Sequence, residues 1–193
     1  MKIDIILAGV GGQGILSIAT VIGTAAVKQG LYLKQAEVHG MSQRGGDVQS
    51  NLRLADHEIA SDLIPFGKAD LIISIEPMES LRYLPVLGEE GWLITNDQPF
   101  VNIPNYPDES VIKSELNKLP RKVVINADKI AKELGSARSA NMVILGAASP
   151  FIQMDFNQLE DAVQEIFAKK GQDIVDVNLA CLRAGRAYAQ TAK

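Results

Sequence analysis

A run of isoleucines that breaks straight into glycines constrains this chain more than any other feature. "KIDIILAG" at residues 2–9 is short and Ile-rich, the composition of a strand covered on both faces. Gly9-Val10-Gly11-Gly12-Gln13-Gly14 spans its end. "ILSIATVIGTAAVKQG" then carries Ile15, Ile18, Ile22 and Ala25 on one helical face. Gly30 supplies the helix stop, and the small residues Ala19, Gly23 and Ala26 let this helix sit close to the sheet. "LYLKQAEV" reads as a second strand. Strand, helix and strand in this order make a βαβ unit, for which a right-handed crossover is expected.

The winding is then interrupted. Where a second crossover helix is due, a glycine-containing loop leads into "VQSNLRLAD", whose Val48, Ser50, Leu52 and Leu54 alternate with Gln49, Asn51, Arg53 and Ala55. That period marks a half-exposed strand, and "ADHEIA" reads as a turn into a short returning strand. "ADLIISIEP", "GWLITND" and "RKVVINAD" read as further strands and "MESLRYLPVL" as a helix. The C-terminal third is mostly helical. "NMVILGAASPFI" runs to Pro150, and "FNQLEDAVQEIFAKKG" places Leu159, Val163, Ile166 and Phe167 on one face, with Asp155 or Asn157 as cap and Gly171 as stop. "VNLACLRAGRAYAQ" repeats the pattern through Val177, Cys181, Ala184 and Tyr188, a small face suited to another helix or a partner subunit. No linker, repeat or low-complexity segment is visible. The expectation is a single α/β domain over residues 1–193, a Rossmann-like three-layer sandwich whose mostly parallel sheet carries an inserted β-hairpin.

Composition removes several function classes. A chain that is 47% hydrophobic and 22% charged is globular rather than disordered. Its net charge of −4, with no basic run, gives no reason to expect nucleic acid or an anionic membrane as partner. Cys181 is the only cysteine, so the chain has no internal disulfide and too few thiolates for an iron–sulfur cluster or a structural zinc. A thiol of this kind suits a reducing interior, which favours the cytoplasm. Asp4 inside the first apolar run marks a buried strand rather than a signal peptide, and no apolar stretch approaches a bilayer span.

The glycine cluster fits G-x-G-x-x-G in the correct context, strand before and helix after. Gly9, Gly11, Gly12, Gln13 and Gly14 are therefore candidate binding residues, with backbone N–H groups at the helix start facing a phosphate. Glycines that merely close a tight turn are the other reading. No Lys-Ser or Lys-Thr follows, so this is not the loop of a nucleotide hydrolase. Glu37, at the end of the second strand, stands where a dinucleotide's ribose partner would be, but the usual second helix is missing.

"AEVHGMSQRGGDVQS" is the second candidate segment. Arg44, beside Gly45 and Gly46, offers a planar fork of donors to a carboxylate or phosphate, and Ser42 and Gln43 add short polar reach. His39 could act as acid or base near neutrality. The alternative is a tight loop in which Arg44 binds a carbonyl or a neighbouring carboxylate. Both loops leave the C-terminal edge of parallel strands, the usual ligand crevice, and the two segments are expected to form one site.

"GVGGQGIL" followed by "EVHGMSQRGGDVQS" resembles the gamma-type subunit of 2-oxoacid:ferredoxin oxidoreductases, and most of all the small (beta) subunit of the indolepyruvate enzymes. The matching segments lie at residues 11–14 and 40–46. Pyruvate and 2-oxoglutarate members show a Tyr-Gly opening and a Glu before Arg-Gly-Gly. His39-Gly40 and Gln43 here point to the arylpyruvate branch. The resemblance implies oxidative decarboxylation of a 2-oxoacid to an acyl-coenzyme A, with electrons passed to ferredoxin. It also implies a larger partner subunit that carries thiamine diphosphate, Mg and [4Fe–4S] clusters. This chain lacks the Gly-Asp-Gly motif for the former and the cysteines for the latter. Its own part would be to cover the active site and help hold coenzyme A, with Gly9, Gly11, Gly12, Gln13 and Gly14 as a phosphate-facing cofactor-binding loop, Ser42, Arg44, Gly45 and Gly46 lining the crevice or the partner interface, and no side chain as catalytic acid or base. Two rivals stay open: a stand-alone NAD(P)-binding reductase, resting on the glycine motif and Glu37, and a docking subunit without a ligand.

Overall fold

The computed structural model of the chain describes residues 1–39 and 45–191, the side chain of His39 excepted. Among the described residues six strands form one sheet: β1 (Lys2–Val10), β2 (Tyr32–His39), β3 (Asp47–Ala55), β4 (Ala69–Ser74), β5 (Leu87–Asn96) and β6 (Lys122–Ile125), in the order β2-β3-β1-β4-β5-β6. The β1–β4, β4–β5 and β5–β6 pairs are parallel, and β3 runs antiparallel to both β1 and β2. The helices are α1 (Ile15–Lys28), α2 (Pro77–Arg82), α3 (Glu109–Asn117), α4 (Ala127–Glu133), α5 (Ala140–Ala148), α6 (Phe156–Phe167) and α7 (Gln172–Thr191).

Alternation along each buried strand divides the core between two faces. Ile3, Ile5 and Leu7 of β1, with Leu71 and Ile73 of β4, pack in one cluster with α1 and α5 to α7. Ile6, Ile72 and Leu93 point the other way, onto Ile112 and Leu116 of α3. This is the three-layer α/β sandwich the hydrophobic pattern predicts.

The inserted hairpin is β2–β3, and not β3 with a returning strand. Residues 56–68 contain no strand. Their backbone is held by side chains instead: Arg53 Nη1 donates to the carbonyls of Ser61 and Leu63, each at 3.0 Å, and Asn51 Oδ1 accepts from the Ile64 N–H at 3.1 Å. β3 is also less exposed than its alternation suggests, because it lies between β2 and β1 and buries Asn51. Arg53 is accommodated there by Asp4, with Nε to Oδ1 at 2.7 Å and Nη2 to Oδ2 at 3.0 Å. The β1-α1-β2 unit exists, with β3 between its two strands.

The buried face of α7 is rotated from the predicted one. Val175, Asn178, Cys181, Leu182, Gly185 and Ala189 are buried, Val177 and Ala184 are half-buried, and Tyr188 is exposed. Glycine decides the rotation. A Cβ on Gly185 would lie 1.9 Å from the Val143 carbonyl oxygen, and one on Gly146 of α5 would lie 1.9 Å from that of Leu182. The two helices meet backbone to backbone, which only the glycine faces permit.

Candidate functional site

β1 and β2 end on the same edge of the sheet as β4, β5 and β6, and the described parts of both candidate segments are gathered there. β1 closes with Gly9 paired to Val48 of β3. A Cβ on Gly9 would meet Ile15 Cδ1 at 3.0 Å and Gln13 Oε1 at 3.1 Å, so a larger residue there would need both side chains to shift by a few tenths of an ångström. Gly12 has φ +101° with open space around its Cα, and Gly14 has φ +89° as the N-cap of α1. Both conformations favour glycine. Gln13 is engaged inside the turn: its Oε1 accepts from the Val10 N–H at 2.8 Å and its own N–H donates to the Val10 carbonyl at 3.1 Å. The Gly14 carbonyl accepts from Asn141 Nδ2 at 3.2 Å, which ties the turn to the start of α5.

The second segment meets this turn. The Gly11 N–H donates to the Gly46 carbonyl at 2.8 Å, and the Gly45 N–H donates to the Gly11 carbonyl at 3.5 Å. Gly45, at φ +79°, has its carbonyl bound by Asn102 Nδ2 at 2.8 Å. Ser42 and Arg44 lie outside the described residues, as do Gly40 and Gln43. His39 ends β2. His57 is remote, exposed beyond the far end of β3 with Nδ1 2.8 Å from Asp56 Oδ1.

Two clefts flank the glycine turn. The larger, about 770 Å³, runs from Gly12, Gln13 and Gly14 to α5 and α7 and carries two cationic side chains, Arg138 and Lys170. The smaller, about 360 Å³, is lined by Gly11, Gly12, Leu16 and Glu37. Glu37 is thus near the turn, but β3 separates its strand from β1. Two inter-strand steps put it roughly 10 Å away in the plane of the sheet, where an adjacent β2 would place it about half as far.

Sequence reasoning missed the supporting groups. Glu76, two residues past β4, is fully buried and caps α2 by accepting from the Glu79 N–H at 2.8 Å. Its Oε1 also accepts from the Phe100 N–H at 3.2 Å and, closely, from the Tyr106 hydroxyl. Burial pushes the Glu76 carboxyl above the usual carboxylate range, while the Tyr106 hydroxyl and the two backbone N–H groups pull it back. Burial, reinforced by Glu76, also raises Tyr106. The Tyr83 hydroxyl is pushed up to about 12 by burial and then by nearby Asp47 and Glu79. The one sequence signal was a Glu immediately before Pro77, an N-cap followed by a residue suited to the first helical position.

A family model described as pyruvate ferredoxin/flavodoxin oxidoreductase matches residues 4–188. The chain belongs to this family. Among its curated relatives is the indolepyruvate oxidoreductase subunit IorB of Archaeoglobus fulgidus, 37% identical with 96% of this chain and 94% of that one covered. The same subunit from Methanothermobacter thermautotrophicus is also 37% identical, with 96% of each covered. The fold recurs in the gamma subunit of a keto/oxoacid ferredoxin oxidoreductase from Geobacter sulfurreducens. There the TM-score is 0.72 at 21% identity, over 98% of this chain and 99% of that one. It recurs again within a longer chain, the 2-oxoglutarate:ferredoxin oxidoreductase of Magnetococcus marinus, solved with 2-oxoglutarate, coenzyme A and succinyl-CoA bound. That match has a TM-score of 0.73 at 23% identity and covers 98% of this chain and 31% of the other. Among the described residues, no helix is long and apolar enough to cross a membrane.

Proposed function

We propose that this chain is the small subunit of a heteromeric 2-oxoacid:ferredoxin oxidoreductase of the indolepyruvate type, acting as one domain in the cytoplasm. The observation that carries the reading is end-to-end identity of 37% to subunits named for indolepyruvate oxidoreductase. A larger partner subunit, holding thiamine diphosphate, Mg and [4Fe–4S] clusters, would supply decarboxylation and electron transfer to ferredoxin. With Cys181 as its only cysteine, this chain has no ligand set for such a cluster.

Its own task is to hold coenzyme A as a substrate against the partner. The edge of the sheet fits a large polyanion. Gly12 leaves the backbone open to a close-approaching group, the N-terminal turn of α1 lacks a side-chain cap, and Arg138 and Lys170 stand across the larger cleft. Ser42, Arg44, Gly45 and Gly46 would add a guanidinium and backbone donors from the joined second turn. The bound relative from Magnetococcus marinus supports the ligand class.

The test is calorimetric titration of coenzyme A into the reconstituted complex, with and without Arg44→Ala. A charge-assisted bond lost from the ligand weakens affinity about 10- to 100-fold. Equal affinities would remove Arg44 from contact with coenzyme A.

A further inference from the structure

We propose that Asn102 and Glu76 are positioning residues that set the geometry of the paired Gly11–Gly46 turns by holding the irregular segment 97–107 across the sheet edge. This segment leaves β5 and reaches α3 without forming a helix or strand of its own. Beyond the Asp97 N–H, which donates to the Ile125 carbonyl at 3.0 Å, two anchors are on Glu76: the Phe100 N–H at 3.2 Å and the Tyr106 hydroxyl. Between them, Asn102 donates from Nδ2 to the Gly45 carbonyl at 2.8 Å. Gly45 and Gly46 in turn exchange backbone bonds with Gly11. The side chain that caps α2 just beyond β4 therefore reaches the glycine turn of β1 through three consecutive links.

Two features separate this arrangement from ordinary loop packing. Glu76 is a fully buried carboxylate facing N–H and O–H donors, and its bonds beyond the α2 cap go to segment 97–107. Among the described residues, Asn102 Oδ1 is buried with no hydrogen-bond partner. The engaged end of the amide is its nitrogen, which holds Gly45. Asn102→Asp keeps the size and puts a carboxylate oxygen where the donor was, opposite the Gly45 carbonyl.

The inference rests on the proposed function only where it concerns coenzyme A, and its test has two arms. The first is hydrogen–deuterium exchange on the full chain for wild type, Asn102→Asp, Asn102→Ala and Tyr106→Phe. Peptides carrying Gly11 and Gly45 exchange about tenfold faster in the variants, the effect of one lost hydrogen bond, while α5 and α7 peptides are unchanged. Asn102→Gln, which retains the amide, recovers part of the protection. Unchanged exchange at Gly11 in both Asn102 variants overturns the inference, as does acceleration spread evenly over the chain. The second arm measures turnover of the reconstituted complex, in which KM for coenzyme A rises several-fold at near-wild-type kcat. Faster exchange with an unchanged KM keeps the positioning role and counts against coenzyme A as the ligand of this loop.

Discussion

Gly146 and Gly185 hold α5 and α7 in backbone contact: a Cβ on either would fall 1.9 Å from a carbonyl oxygen of the opposite helix. A methyl group at such a position cannot be absorbed by a rotamer change, because the obstructing atoms are main chain. Gly146→Ala or Gly185→Ala must push the helices apart, at about 3 kcal/mol or more, the upper range of overpacking costs. Thermal unfolding should fall by about 10 °C for either variant in a chain of this size. An unchanged midpoint would mean that the helices do not cross so closely.

Arg53 and Asp4 form the second vulnerable pair. Asp4 is 1% exposed and receives both Arg53 and the Lys2 ammonium, at 2.9 Å. Arg53→Ala leaves this carboxylate short of a partner and frees the Ser61 and Leu63 carbonyls, with an expected loss of about 3–5 kcal/mol. Removing both charges, as in Asp4→Asn with Arg53→Met, should cost clearly less than Arg53→Ala alone. Urea unfolding of the three proteins checks the order.

What could be read in advance follows from where local pattern and tertiary contact agree. β1, the glycine turn and α1 were legible because a buried strand, a positive-φ turn and an amphipathic helix each leave a local mark. The β2–β3 pairing was not, since a strand can pair with the one before it or the one after, and the choice fell to Arg53 and Asn51 bonding residues 61–64 from the side. α3 and α4 carry only Ile112 and Leu116, or Ala127 and Ala131, as buried apolar residues, too sparse a stripe to stand out. In the site, the meeting of Gly11 with Gly46 was readable from two glycine motifs sharing one sheet edge. Asn102 and Glu76 were not, because their roles depend on a segment with no periodicity at all.

Glu76 gives the chain a characteristic response to pH. Its carboxyl is raised in the folded state, so between the ordinary glutamate value of 4.5 and the raised one the folded chain binds more protons than the unfolded chain. Stability from this group is full below that window and declines as pH rises through it. Glu76→Gln should lack the decline, which paired denaturation curves from pH 4 upward would show. Asp56 acts oppositely and lower, since the amino terminus and His57 hold its carboxyl down to about 2.

NADH should not bind the isolated chain. β3 lies between β1 and the strand bearing Glu37, so a dinucleotide stretched from the glycine turn does not find its ribose partner at the usual spacing. Titration with NADH should leave nucleotide fluorescence unchanged. Saturable enhancement would favour a stand-alone reductase.

The most direct measurement is 2-oxoacid-dependent reduction of ferredoxin by the 20.8 kDa chain alone and by the complex it forms with its large subunit. The chain alone should give no reduction with indolepyruvate and coenzyme A, and the complex should turn over. Reduction by the purified small chain, free of any partner, would contradict its role as an accessory subunit.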